Sequence, residues 1–188
     1  MFKFTCSLLC SLFIFAYSEP VNMLSLQEGT LPVKVPPTYS GWDAQNLLDD
    51  SPQSGWACES GHIADNVFVF EMAEPTTFER FEFDNTSVDA EKAGAKEILV
   101  EVSTTSPGNG FIPVLETTLA DKKDGQSFPV ISKTPARWIR LTIKNNQGSN
   151  EWTELFSFKG FAERPAIPKP ADISGIYETS YSLFHVLQ

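Results

Sequence analysis

The sequence predicts an all-β domain, built as an antiparallel sandwich or barrel. Three observations carry that prediction. Short runs of β-branched and aromatic residues recur along residues 39–162. Several of them alternate apolar and polar side chains, as in Thr77–Phe83 (TFERFEF). Clusters of Gly, Pro, Asn and Asp separate the runs.

The first 18 residues stand apart. Lys3 precedes the apolar run Phe4–Phe15, and Ala16-Tyr17-Ser18 supplies small residues for a cut after Ser18. This is the layout of a secretory signal peptide, too short to cross a bilayer. The expected location is secreted, extracellular or periplasmic. Residues 19–38 contain four prolines and read as an extended lead-in packed on the main body.

Residues 39–162 hold the strands. Asn66–Met72, Thr77–Phe83, Glu97–Ser103, Phe111–Thr118, Ser127–Ile131, Arg137–Ile143 and Phe156–Phe161 are the expected members. The turns between them are AEPT, SPGNG, KKDGQ, KTP and NNQGSN. Helix is confined to one turn near Asp43–Leu48, where Ala44, Leu47 and Leu48 have helical spacing, and to a short piece within Ser87–Lys96.

Residues 163–172 (ERPAIPKPAD) have the composition of a semi-rigid linker. Residues 173–188 begin a new alternating pattern, and sixteen residues cannot bury a core of their own. They read as the opening of a truncated second β domain, or else as a strand that docks on the first.

Charge narrows the partners. The chain carries a formal net charge of −10; residues 1–18 hold Lys3 and no acid, so without them it is −11. Nucleic acid and anionic membranes require basic patches, so both are disfavoured. Without the signal, Cys58 is the single cysteine, and it reads as a buried apolar filler. No G-x-S-x-G, H-E-x-x-H or P-loop pattern is present, and there are only two histidines, His62 and His185. A non-catalytic module is the expectation.

The stretch NLLDDSPQSGW is chemically the richest. Asn46, Asp49, Asp50, Ser51 and Ser54 place five oxygen-bearing side chains within nine residues. Such a loop suits calcium, which takes six to eight hard oxygens. It also suits an Asx-type turn whose carboxylates face water, and composition alone puts the plain turn first.

Five segments, in order, resemble the discoidin, or coagulation factor 5/8 type C, domain, especially its bacterial carbohydrate-binding modules. They are AQNLLDDSPQSGW, NVFVFEMAEPTTFERFEF, KEILVEVST, ARWIRLTI and TELFSFKGF. The resemblance implies a galactose-binding-like jelly-roll sandwich of about eight strands. It also implies a structural Ca²⁺ held by Asn46, Asp49, Ser51, Ser54, Thr153 and Glu154. Trp56 then becomes core, and Asp50 occupies a position where the family often has glycine.

The same resemblance places ligand binding in loops at one end of the sandwich, near the metal. Trp42, His62, Asn85, Lys92 and Trp152 are the candidates, with simple packing or solvation as the plain alternative for each. Galactose-binding relatives often carry His just after the loop Trp, and Arg with Asn after the following strand. Here Ala57 follows Trp56 and DNTSVDAEKAG has no Arg, so galactose itself is not implied. The expected partner is a glycan or glycoconjugate; a protein partner in an adhesion or structural role is the alternative. Membrane lipid is disfavoured by the charge.

Overall fold

The computed structural model describes residues 19–164. The expected signal peptide, most of the linker and the segment 173–188 lie outside the described residues.

Among the described residues eleven strands form, all in antiparallel ladders. They are β1 (Val21–Asn22), β2 (Leu31–Lys34), β3 (Trp56–Ala57), β4 (Asn66–Thr77), β5 (Arg80–Asp84) and β6 (Glu97–Ser103). β7 (Ile112–Thr118), β8 (Gln126–Pro129), β9 (Pro135–Ile143), β10 (Glu154–Leu155) and β11 (Ser157–Ala162) follow. One sheet has the order β2-β4-β9-β6-β7 and the other β1-β11-β5-β8. A two-stranded ribbon, β10-β3, completes the fold. The lead-in is woven into both sheets, since β1 pairs with β11 and β2 with β4.

Alternation explains the core. On β5, Phe81 and Phe83 are buried while Arg80, Glu82 and Asp84 are partly exposed. Phe68 and Phe70 of β4 face them from the other sheet, with Phe158 of β11 between: its ring lies 5.9 Å from Phe70 and 5.2 Å from Phe83. Trp56 is fully buried against Phe68 and donates its indole N–H to Thr38 Oγ1 at 3.0 Å. Burying each such ring contributes about 1.5–3 kcal/mol. On the outer face of β9 the arginines make ion pairs. Arg140 meets both oxygens of Glu101 at 2.6 and 2.7 Å, and Arg137 meets Glu71 at 2.9 Å.

Two of the differences from the sequence reading have a clear physical cause. β4 runs through AEPT to Thr77, because a register shift between Glu71 and Thr76 puts Pro75 outside the ladder, where its missing N–H costs nothing. Ser87–Lys96 forms no helix: Lys92 takes a left-handed φ of 56°, and the Asp89 amide is bonded to Glu154 instead of to a helical turn. The turn near Asp43–Leu48 is a 3-10 turn over Ala44–Leu48, with Ala44, Leu47 and Leu48 buried.

Candidate functional site

The β3–β10 ribbon positions the site. Glu154 pairs with Ala57 and Leu155 with Trp56. Directly opposed residues share a face, so Trp56 and Leu155 enter the core while Ala57 and Glu154 look the other way. Residue 154 is also held from its other side: its N–H donates to the Ala93 carbonyl at 2.8 Å and its carbonyl accepts the Ala95 N–H at 2.9 Å. The Cys58 N–H reaches the Thr153 carbonyl at 2.9 Å.

On that outward face lies a pocket of about 370 Å³, lined by Tyr39, Trp42, Ala57, Asp89, Ala90, Trp152 and Glu154. The aromatic walls are packed in place. Tyr39 meets Trp152 edge-on at 5.1 Å, and Trp42 meets Phe156 edge-on at 5.5 Å. Beneath them Val88, Ala93 and Phe156 form a small buried cluster of their own. Tyr39 keeps 48% of its surface exposed, an uncommon investment for a large aromatic.

The Trp152 loop is shaped by Asn146. Its Nδ2 donates to the carbonyls of Trp152 at 2.7 Å and Ser149 at 3.0 Å, and its Oδ1 accepts the Gly148 N–H at 2.8 Å. Gly148 adopts φ 127°, which suits a residue without Cβ.

The charged groups of the pocket are carboxylates. Glu154 is only 5% exposed, and Oε2 accepts the Asp89 N–H at 3.1 Å. Burial pushes its carboxyl above the ordinary range. The amides of Asp89 and Ala90 oppose that rise; the Asp89 charge adds to it and Lys122 offsets part of it.

The sequence-predicted residues divide. Trp42 and Trp152 line the pocket together. His62 is exposed on the β3–β4 loop and does not line it. Lys92 is exposed with its chain beside Gly148, and is not part of the wall. Asn85 is fully buried and structural: it donates to the Ala120 carbonyl and accepts the Lys123 N–H. Tyr39 and Asp89 were not singled out from sequence, and Glu154 was assigned to the metal instead.

The six oxygen donors divide as well. Asp49 accepts the Ser51 N–H at 2.9 Å and the Ser54 hydroxyl at 2.6 Å, and Asn46 closes the same loop through the Gly55 carbonyl at 2.9 Å. Thr153 donates its hydroxyl to the Ile63 carbonyl, and Glu154 faces the aromatic pocket. The donor chemistry of the Asp49 loop fits a hard cation. Glu154 Oε2 is bonded to the Asp89 amide, and among the described residues no three carboxylate, His or Cys groups converge. Asp50 adopts φ 59°, the conformation of a glycine position, and ties the loop to Asn22 at 3.0 Å and Lys159 at 3.5 Å.

A second hollow, of about 270 Å³, is lined by Met23, Glu28, Met72, Ala73, Glu74, Thr76 and Arg164. It has no aromatic wall, and an Arg164–Glu28 ion pair occupies its edge.

A family model for the F5/8 type C domain matches residues 33–158, which takes in strands β3 to β10 and every residue of the aromatic pocket. The chain belongs to the F5/8 type C domain family. Solved structures share the fold at low identity. A putative chitobiase fragment from Bacteroides thetaiotaomicron is 20% identical, with a TM-score of 0.66 over 82% of this chain and 99% of that one. The family 32 carbohydrate-binding module of NanJ from Clostridium perfringens, in complex with galactose, is 10% identical, with a TM-score of 0.61 over 74% and 98%. A further family 32 module from Clostridium perfringens, in complex with GalNAc-β-1,3-galactose, is 14% identical, with a TM-score of 0.62 over 76% and 100%. No curated protein matches the sequence.

Proposed function

We propose that this F5/8 type C domain is a non-catalytic carbohydrate-binding module, acting as an accessory module of a secreted or periplasmic protein. The observation that carries the reading is the pocket walled by Tyr39, Trp42 and Trp152 and edged by Glu154 and Asp89. A sugar ring presents C–H groups that pack on an aromatic face and hydroxyls that donate to carboxylates. Two modules of the same fold were solved with galactose-containing ligands, which supports the reading at the level of ligand class. A glycan array followed by calorimetry tests it, with Trp152→Ala and Trp42→Ala as controls. A glycan hit at least tenfold weaker in either variant, about 1.4 kcal/mol, is the expected result. Absence of any glycan ligand would refute it.

Calcium is the proposed structural cofactor. Asn46, Asp49, Ser51 and Ser54 would hold it, and it would fasten the loop that leads into Trp56. The ion supplies charge compensation at this loop when bound.

A protein-adhesion role is the alternative. Leu31, Val33 and Val35 are 58, 47 and 49% exposed, and β2 is an edge strand of the larger sheet. An edge strand carrying apolar side chains suits strand addition by a partner.

A further inference from the structure

The larger sheet has two unlike edges. β7 closes one, and Glu116 there is paired with Lys144. β2 closes the other, and among the described residues β4 is its one neighbour. Residues 31–35 carry three apolar side chains, Leu31, Val33 and Val35, each about half exposed, and one charge, Lys34. An apolar edge of this kind is a liability unless something covers it. The chain itself is delivered to this edge. β11 ends at Ala162, and Arg164 pairs with Glu28. Glu28 stands three residues before β2, in a turn closed by the Gly29 N–H to the Leu26 carbonyl and the Thr30 N–H to the Ser25 carbonyl. Eight residues follow, 165–172, three of them proline. At about 3.1 Å per residue such a linker reaches roughly 25 Å. Glu28 and Lys34 are six residues apart in the chain, at most about 22 Å at full extension, so either end of β2 lies within reach. Beyond the linker, Tyr177–Leu183 (YETSYSL) alternates strictly: Tyr177, Thr179, Tyr181 and Leu183 are separated by Glu178, Ser180 and Ser182. That is the sequence period of a strand with one side to cover.

We infer that residues 173–188 add a strand to the open edge of β2, with Tyr177, Tyr181 and Leu183 against Leu31, Val33 and Val35. A segment tethered by a short linker has an effective concentration in the millimolar range, which a free partner must exceed. A second copy is the weaker occupant, because each chain carries a formal net charge of −10 and the two repel. Pro32 offers no N–H, and the register already shifts between Pro32 and Lys34. The added ladder is therefore short, and side-chain contact supplies most of the hold. In this place the segment is an internal competitor: a partner that pairs with β2 must first displace it. The inference rests on the edge and not on the aromatic pocket, so its failure leaves the carbohydrate reading untouched.

Hydrogen exchange of the full chain, read by mass spectrometry at two protein concentrations, tests it. The amides of residues 177–186 are expected to exchange at least about tenfold more slowly than in a synthetic peptide of residues 173–188. That protection should not depend on concentration, and light scattering should show a monomer. Leu31→Asp and Val33→Asp place charges on exposed edge positions and should remove most of the protection. Tyr181→Pro should remove it from the other side and speed exchange in β2. Because that change is made in the segment itself, it decides the matter even if an edge variant does not fold. Exchange at the rate of the peptide would overturn the inference. Protection that survives both edge variants would also overturn it, since the segment would then be ordered elsewhere. Protection confined to a dimer would make a second copy the occupant and overturn it as well.

Discussion

The Nδ2 of Asn146 donates a 2.7 Å hydrogen bond to the carbonyl of Trp152. The same amide group reaches Ser149 and Thr153 and receives the Gly148 N–H. One buried side chain therefore sets the course of the whole loop that presents the pocket tryptophan. Asn146→Ala leaves those backbone groups without partners. The expected cost is about 1–3 kcal/mol of stability. For a domain of this size that lowers Tm by about 2–4 °C for each kcal/mol. Thermal unfolding reads the stability. Ligand affinity should fall further than stability alone explains, because Trp152 loses its position.

The family fold was legible because strand alternation is a local property. The bounds of Glu97–Ser103 were read directly from its apolar pattern. The extension of β4 was not, because a bulge that accommodates Pro75 depends on pairing with β9. Trp42 and Trp152 were conspicuous as large rings in polar loops. Tyr39 and Asp89 were not, because they reach the pocket only through the long-range β3–β10 pairing. That pairing also decides the face on which Glu154 sits. Only the family resemblance linked Glu154 to the Asp49 loop, and it does not show which way the side chain turns.

Gly55 lies where the Asp49 loop passes under β10. A Cβ there would meet Phe156 Cγ at 2.9 Å and the Leu155 carbonyl at 3.0 Å. The carbonyl belongs to a paired strand and cannot swing aside. Gly55→Ala is expected to destabilise the domain by about 1–3 kcal/mol, as overpacking does. Denaturant unfolding checks this: the midpoint should fall with an unchanged m-value. An unaltered midpoint would show that β10 yields.

Cys58 is fully buried, and its sulfur accepts the Thr153 N–H at 3.1 Å. Burial pushes its thiol up, and the nearby Glu154 charge adds to the rise. A carboxylate or thiol taken from water favours its neutral form, so little thiolate exists at neutral pH. A thiol reagent such as Ellman's is expected to react with native protein far more slowly than with protein in denaturant. Rapid stoichiometric labelling of the folded chain would contradict the buried-filler role.

Calcium provides the sharpest division between the loop and the pocket. Asp49 gathers Ser51 and Ser54 around one carboxylate, while Glu154 is bonded to the Asp89 amide on the pocket side. If the ion sits in the Asp49 loop, it stabilises the fold by linkage, about 2.7 kcal/mol at a hundred times its Kd. That corresponds to a Tm rise of roughly 5–10 °C at this chain length. Melting after chelation and again after Ca²⁺ is restored measures it. Asp49→Asn should lose the rise, and Glu154→Gln should keep it. Loss in both variants would mean that Glu154 swings from the pocket to the ion, and that the carboxylate is shared between the two ends of β10. An unchanged Tm in the native protein would remove calcium from the account altogether, leaving the Asp49 turn held by its own hydrogen bonds.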